Sequence, residues 1–264
     1  MTTPGGLQHR IKEAWTRGAA VYDADPGHGL LLPRVESAWG VVLGESLGPE
    51  PLKVLDVGAG TGFLSVMVAK LGHDVTGIDL TPAMLDQARA RAAEAGVAIA
   101  WREGDAQEMP FPDDAFDAVI SRHVLWTMPE PALALREWTR VTQPGGRVLW
   151  FDTIMPRPAW LDRPRREVAR LVRALSRRTD HAEPHHYHAD MYDQLPLRGL
   201  TTWEPLPIVA REAGLPAPNL RLLPALTRAE RSALPLDRRV GSRSKCYVGS
   251  IIVPRRAADA AGER

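Results

Sequence analysis

Three glycines at alternate positions, Gly58, Gly60 and Gly62, stand behind the apolar run Val54-Leu55-Asp56-Val57 and ahead of the apolar segment Leu64 to Leu71. An apolar run ending in an acid, a bend of residues that lack a Cβ atom, and a second apolar stretch read as a buried strand feeding a helix through a backbone-only loop. Only glycine lets the main chain turn that sharply and come within hydrogen-bond distance of a ligand. The helix start beyond it adds free N–H groups and a positive dipole end. This is the architecture of a nucleotide cradle. It is not a P-loop, because no Gly-Lys-Ser/Thr follows, and a dinucleotide fingerprint would need a third glycine where this chain has Phe63.

From residue 52 onward, short apolar runs alternate with helical stretches, the pattern of a parallel sheet with crossover helices. Strands are expected at 53–57, 75–79, 97–101, 116–121, 147–151, 219–223 and 245–253. Thr81-Pro82 supplies an N-cap and first-turn pair for a helix that Gly96 ends, and Pro144-Gly145-Gly146 is expected to end the helix opened by Pro131. Two amphipathic helices precede the first strand. Ile11, Trp15, Gly18 and Tyr22 share one stripe in the first, and Val35, Trp39, Val42 and Leu43 share a face in the second. The expected fold is an α/β, Rossmann-like, doubly wound seven-stranded sheet in a single domain. It comprises an N-terminal helical cap (1–48), a core (49–154), an inserted helical lid (155–200), a C-terminal part of the core (201–264) and, within that last part, a loose tail from 255.

Charged residues make up 25% and hydrophobic ones 44% of the chain, ordinary values for a soluble globular protein, and the net charge of +1 gives no global attraction to nucleic acid or anionic membrane. One cysteine, Cys246, forbids an intrachain disulfide and suits a reducing cytoplasm. Residues 1–10 lack the apolar core of a signal peptide, and no apolar run reaches membrane-spanning length. A soluble cytoplasmic monomer or homodimer is expected.

Asp56 followed by Gly58-Ala59-Gly60-Thr61-Gly62 resembles motif I of the class I S-adenosylmethionine (AdoMet) methyltransferases. Asp79 closes the second strand, where a doubly wound fold places the acid that accepts ribose hydroxyls. Gly104-Asp105-Ala106 closes the third, where the resemblance assigns Asp105 to the adenine amino group. Phe111-Pro112-Asp113-Asp114-Ala115-Phe116-Asp117 and Arg140-Val141-Thr142-Gln143-Pro144-Gly145-Gly146-Arg147 are similar to signatures of the branch holding the ubiquinone and menaquinone methyltransferases. The resemblance covers roughly residues 50–153. It implies methyl transfer from AdoMet to an O, N or C nucleophile of a small, quinone-like or secondary-metabolite acceptor by in-line displacement. It also implies cofactor contacts from Tyr22, Asp56, Gly58, Ala59, Gly60 and Gly62, and from Asp79, Leu80, Met84, Asp105, Ala106 and Arg122.

Several of these residues have a second reading. Asp56 either faces the cofactor ammonium or anchors the glycine loop, and Met84 either packs on adenine or fills a helix turn. Tyr22 either closes over the cofactor beside the chemistry or packs in a core. His123, just beyond the fourth strand, is a candidate general base or a cofactor and capping contact. Trp126 is expected to wall the acceptor pocket, and His28, framed by Gly27 and Gly29, is either a gate or a plain loop residue. In the lid, His181, Glu183, His185, His186, Tyr187 and His188 offer acceptor contacts or a solvated loop; their spacing matches no closed metal site, and no metal is expected. Arg166, Arg170, Arg173 and Arg177 make a basic helical stripe, read first as a solvated face. The alternatives to a small-molecule enzyme are an RNA or protein methyltransferase using that stripe, and a non-methylating protein of the same fold.

Overall fold

The computed structural model describes residues 4–24, 32–156, 167–168, 171–172, 189–242 and 244–254. The expected gate at His28, the basic stripe, His181 to His188 and the tail from 255 lie outside those residues. Among the described residues no helix is long and apolar enough to cross a membrane.

β1 (Lys53–Val57) shows why the sheet forms. Its Leu55 and Val57 side chains enter one buried cluster and Val54 enters another, so the strand is buried on both faces. β2 (Asp74–Asp79) and β3 (Ala100–Glu103) pair outward from it on one side, all parallel. β4 (Phe116–Arg122) and β5 (Thr142–Ile154) extend the parallel sheet on the other side. β7 (Lys245–Ile252) inserts antiparallel between β5 and β6 (Asn219–Leu222), giving the order β3-β2-β1-β4-β5-β7-β6. The chain therefore reverses direction across the sheet between β1 and β4, the topological switch point at which such folds bind ligands.

Helices cover both faces. α2 (Pro33–Leu47) and α3 (Phe63–Lys70) bury Trp39, Leu43, Phe63 and Leu64 against Val54, Ala118, Leu149 and Phe151. α5 (Pro131–Val141) buries Ala134, Leu135, Trp138 and Val141, at i, i+1, i+4 and i+7 along a helical stripe, against Leu55, Val119, Val148 and Trp150. α4 (Pro82–Glu94) follows β2, with Pro82 in its first turn. α1 (Pro4–Gly18) packs Leu7, Ile11 and Ala14 on Met191 and Leu195, and a 3-10 turn, Ala19–Ala24, continues it.

The structure departs from the sequence reading in four places. β3 begins at Ala100 rather than Val97, because the Val97 N–H still bonds back to Ala92 O at the end of α4. α5 stops at Val141 without help from Pro144-Gly145-Gly146, which lies inside β5. There Gly145, at φ 82°, donates to Val253 O, and Val253 N–H donates to Gly146 O. β7 is antiparallel. Two helices, Pro224–Ala233 and Leu236–Gly241, fill the stretch between the last two strands, where the sequence reading placed no element.

β5 and β7 interlock through Trp150 and Gly249, which pair directly in the ladder. A methyl group on Gly249 would lie 2.2 Å from the indole of Trp150, which is 1% exposed and has nowhere to go. Gly249→Ala is therefore expected to lower stability by about 2 kcal/mol through overpacking. Urea unfolding checks this: the midpoint falls with the slope unchanged, and an unmoved midpoint contradicts the packing described here.

Candidate functional site

At the switch point the C-terminal ends of β1 to β4 open into a cavity continuous with solvent. Gly58 and Gly60 come to it from behind β1, Asp79, Leu80 and Thr81 from β2, Gly104, Asp105 and Ala106 from β3, and Arg122, His123 and Val124 from β4. Met84 closes the wall on the α4 side, and Thr127, Met128 and Pro129 complete it.

The three loop glycines all take left-handed backbone angles, with φ 65°, 54° and 80° at Gly58, Gly60 and Gly62, but they differ in what surrounds them. A Cβ on Gly58 would lie 2.3 Å from Val124, and one on Gly62 would press on Ala88 and the Trp101 ring. These two glycines let the loop seat against its neighbours. Around Gly60 the nearest atom is a backbone oxygen 4.0 Å away, so its face is open and available for close approach. Ala59 and Gly62 do not line the cavity; the Ala59 N–H bonds to Ile78 O behind the loop.

Asp79 fixes the loop from the neighbouring strand. Its Oδ2 accepts the Gly60 N–H at 2.8 Å and its Oδ1 accepts the Thr81 N–H at 2.8 Å. Burial raises the Asp79 pKa, opposed by those two backbone donors. One strand further out, Asp105 Oδ1 accepts the Gln107 N–H at 2.9 Å, and Oδ2 accepts the side-chain amide of Gln8. Burial likewise raises the Asp105 pKa. A carboxylate offers about four lone-pair positions. Both acids thus keep acceptor capacity facing the cavity.

The roof comes from the N-terminal cap. Ile11, Trp15 and Tyr22, the stripe seen in the sequence, face the cavity together with Gln8, one turn earlier on the same face. Trp15 and Tyr22 meet edge to face with ring centroids 5.9 Å apart. Asp23 ties this roof to the floor: its Oδ1 accepts the Thr61 hydroxyl at 2.9 Å, and Arg91 of α4 bonds to Oδ2.

Several candidates sit elsewhere. Asp56 is 2% exposed and does not reach the cavity; its Oδ2 accepts the Ser65 hydroxyl at 2.6 Å, anchoring α3 to β1. Arg122 contributes to the wall, but its guanidinium stacks 4.5 Å over Phe63 and 5.4 Å over Trp39 and pairs with Glu230 at 3.6 Å. Trp126 is absent from the cavity lining: its ring stacks on Tyr192, 6.4 Å away, in the packing beneath α1. His28, His185, His186 and Tyr187 lie outside the described residues.

His123 has unusual support. Its φ of 59° is a left-handed value that side-chain-bearing residues rarely adopt. Its N–H donates to Phe151 O at 3.0 Å, and its Nδ1 lies 3.0 Å from Oδ1 of Asp152, which is 6% exposed. The sequence reading missed Asp152 in this role, as well as Gln8, Ile11 and Trp15. The α1 stripe carried a signal for Ile11 and Trp15, but it pointed equally to a core face.

With the geometry in place, the comparisons with known proteins decide the family. Residues 55–150 match the methyltransferase domain family. They are a class I methyltransferase domain. An uncharacterised protein of Mycobacterium tuberculosis is 39% identical over 122 residues, 46% of this chain and 44% of that one. A rice protein named 2-methyl-6-phytyl-1,4-hydroquinone methyltransferase 2, chloroplastic, is 33% identical over 169 residues, 62% of this chain and 47% of that one. The matched stretch thus spans less than half of either curated relative. A solved Haemonchus contortus phosphoethanolamine N-methyltransferase 2, in complex with phosphomonomethylethanolamine and S-adenosylhomocysteine, shares the fold at TM-score 0.61. It is 17% identical, with 97% of this chain and 61% of that one covered. The methyltransferase family uses AdoMet.

Burial raises the Asp56 pKa from 3.8 to about 7, opposed chiefly by the Ser65 hydrogen bonds. The folded methyltransferase domain therefore holds this proton more tightly than the unfolded chain. The stability due to Asp56 is fully present at low pH, is lost as pH rises from about 4 to about 7, and is level above that. The loss amounts to a few kcal/mol, at about 1.4 kcal/mol per pH unit. Asp56→Asn keeps an acceptor for Ser65 and removes the titration, so its melting temperature is expected to gain on the native protein's between pH 5 and pH 8. A difference independent of pH contradicts the buried-acid account.

Proposed function

We propose that this chain is an AdoMet-dependent methyltransferase acting on a small-molecule acceptor. The observation that carries the reading is the meeting of two acceptor-capable carboxylates, Asp79 and Asp105, with the open face of Gly60 in one cavity at the switch point. That donor and acceptor set suits an adenosine: Asp79 for ribose hydroxyls, Asp105 for the adenine amino group, Met84 and Leu80 for the faces of the base. When bound, AdoMet supplies a methyl group already activated on a sulfonium, so the protein's work is to orient, to exclude water and to manage a proton.

The chain's own residues are suited to those tasks. The left-handed glycine loop and Asp79 form a rigid floor, and Trp15, Ile11 and Tyr22 form an apolar roof that excludes water. His123 lines the same cavity as the candidate general base, together with Tyr22 from the roof. A cavity under a helical roof suits a compact acceptor rather than an extended polymer. The hydroquinone methyltransferase among the relatives supports an acceptor of aromatic, quinone-like character. The basic stripe on which an RNA-directed reading would rest lies outside the described residues.

Titration calorimetry with AdoMet tests the reading. Asp79→Ala removes the acid that holds the loop, and Gly60→Val forces a β-branched residue into a left-handed angle on the open face. Each is expected to weaken binding at least tenfold, and undiminished affinity in both contradicts the assignment. Release of S-adenosylhomocysteine in the presence of hydroquinone acceptors is the expected activity.

A further inference from the structure

His123 is the first residue past β4, and three features fix its conformation. Its backbone takes a left-handed angle, its N–H is held by Phe151 O on β5, and its Nδ1 meets the carboxylate of Asp152, the next residue along that strand. An uncommon backbone conformation persists only where the surroundings over-determine it, and such positions concentrate at functional sites. The partner is well chosen for orientation. Asp152 is nearly closed off from solvent, with 6% of its side chain exposed against 23% for His123, and its Oδ1 also accepts the Thr153 N–H at 2.7 Å. The carboxylate cannot swing away. With Nδ1 turned to the protein interior and the imidazole on the cavity wall, the edge carrying Nε2 is the one left for a ligand.

An ionised carboxylate accepts hydrogen bonds and donates none, so the neutral imidazole beside it must carry its proton on Nδ1. Nε2 then keeps its lone pair. We propose that Asp152 is a positioning residue that holds His123 in this tautomer, making Nε2 a base for an acceptor whose oxygen arrives protonated, an alcohol or phenol hydroxyl. The inference rests on the methyltransferase reading for its reaction, and on the His123–Asp152 geometry for its chemistry. The hydroxyl proton passes to Nε2, the freed oxygen lone pair forms the bond to the methyl carbon as the carbon–sulfur bond breaks, and the positive charge lost by the sulfonium ends on the imidazolium. Asp152 faces that new charge directly. General-base assistance of this kind is worth about 10²- to 10⁴-fold in rate.

The groups around the pair leave this role to His123. Arg122, its neighbour on β4, has its guanidinium engaged with Phe63, Trp39 and Glu230. Tyr247 on β7 pairs in the ladder with Asp152, and burial, helped by the Asp152 charge, holds its hydroxyl well above the ordinary tyrosine range. It stays neutral and does not compete as a base.

Nitrogen-15 NMR of histidine-labelled protein reads the tautomer without any acceptor being identified. In the native protein at pH 8 His123 is expected to carry its proton on Nδ1 with Nε2 bare, and a proton on Nε2 overturns the proposal. In Asp152→Asn the side-chain amide can offer Nδ1 either a donor or an acceptor, so the preference for the Nδ1-protonated form is expected to weaken at least severalfold. S-adenosylhomocysteine affinity, measured by calorimetry, should stay within about twofold, as for a residue that acts only through His123. An unchanged tautomer ratio in a variant that still binds S-adenosylhomocysteine also overturns the proposal. Should Asp152→Asn not fold, the native tautomer decides alone. Failure of the native protein to bind S-adenosylhomocysteine, with the Nδ1 tautomer intact, instead removes the methyltransferase reading and leaves the pair standing.

Discussion

The Asp79 carboxylate accepts two main-chain hydrogen bonds, one from Gly60 and one from Thr81, and the rest of the site is built on them. One oxygen holds the bend after β1 and the other holds the turn into α4. Two neighbouring strands and two helix starts are thereby fixed by one side chain at the switch point. The carboxylate is buried to do this, a cost offset by charge-assisted hydrogen bonds from both N–H groups. A loop of left-handed glycines has many alternatives in the unfolded chain. Tying it to an acid on the next strand selects one of them.

The roof is tied down by the same kind of contact. Thr61 in the glycine loop bonds to Asp23, Gln87 of α4 bonds to Ala19 O, and Gln8 bonds to Asp105. The N-terminal cap is therefore joined to the loop after β1, to α4 and to the end of β3 through polar groups, while Ile11 and Trp15 both pack in the cluster with Met191 and Leu195 and line the cavity. The Gln8 amide donates to the same carboxylate that the proposed function gives to the adenine amino group. With the other Asp105 oxygen accepting from Gln107, each oxygen already holds one hydrogen bond and still has a lone pair for a ligand.

Much of this was legible in the sequence because burial on both faces of a parallel sheet writes itself as uninterrupted apolar runs. β1 was read to the residue, and β2, β4 and the stripe of α5 to within one residue, since Leu55, Ile78, Val119 and Trp138 all pack in one apolar cluster. Asp79 was visible from its place at the end of the second strand, where a doubly wound fold puts an acid, and Asp105 from the resemblance of Gly104-Asp105-Ala106 to the family. What stayed hidden depends on contacts between distant residues. The Pro144-Gly145-Gly146 step reads locally as punctuation, yet its pairing with Val253 keeps it in the sheet. The helix Pro224–Ala233 packs Leu226, Ala229 and Ala233 on the core, a stripe with a single large apolar side chain. Trp126 and Arg122 have the composition of pocket residues, but Tyr192 and the Phe63-Trp39-Glu230 group claim them. The pairing of His123 with Asp152 joins residues 29 positions apart and depends on a backbone angle that no local rule predicts for histidine.

The central claim is that this cavity is an adenosine site with a proton acceptor at its far end. A crystal structure of the protein soaked with S-adenosylhomocysteine tests it most directly. The account predicts ligand density under Trp15 and Tyr22, with ribose hydroxyls on Asp79, the adenine amino group on Asp105 and the thioether sulfur on the side of the cavity where His123 stands. Density at another place, or a ligand in this cavity that leaves Asp79 and Asp105 untouched, would contradict it.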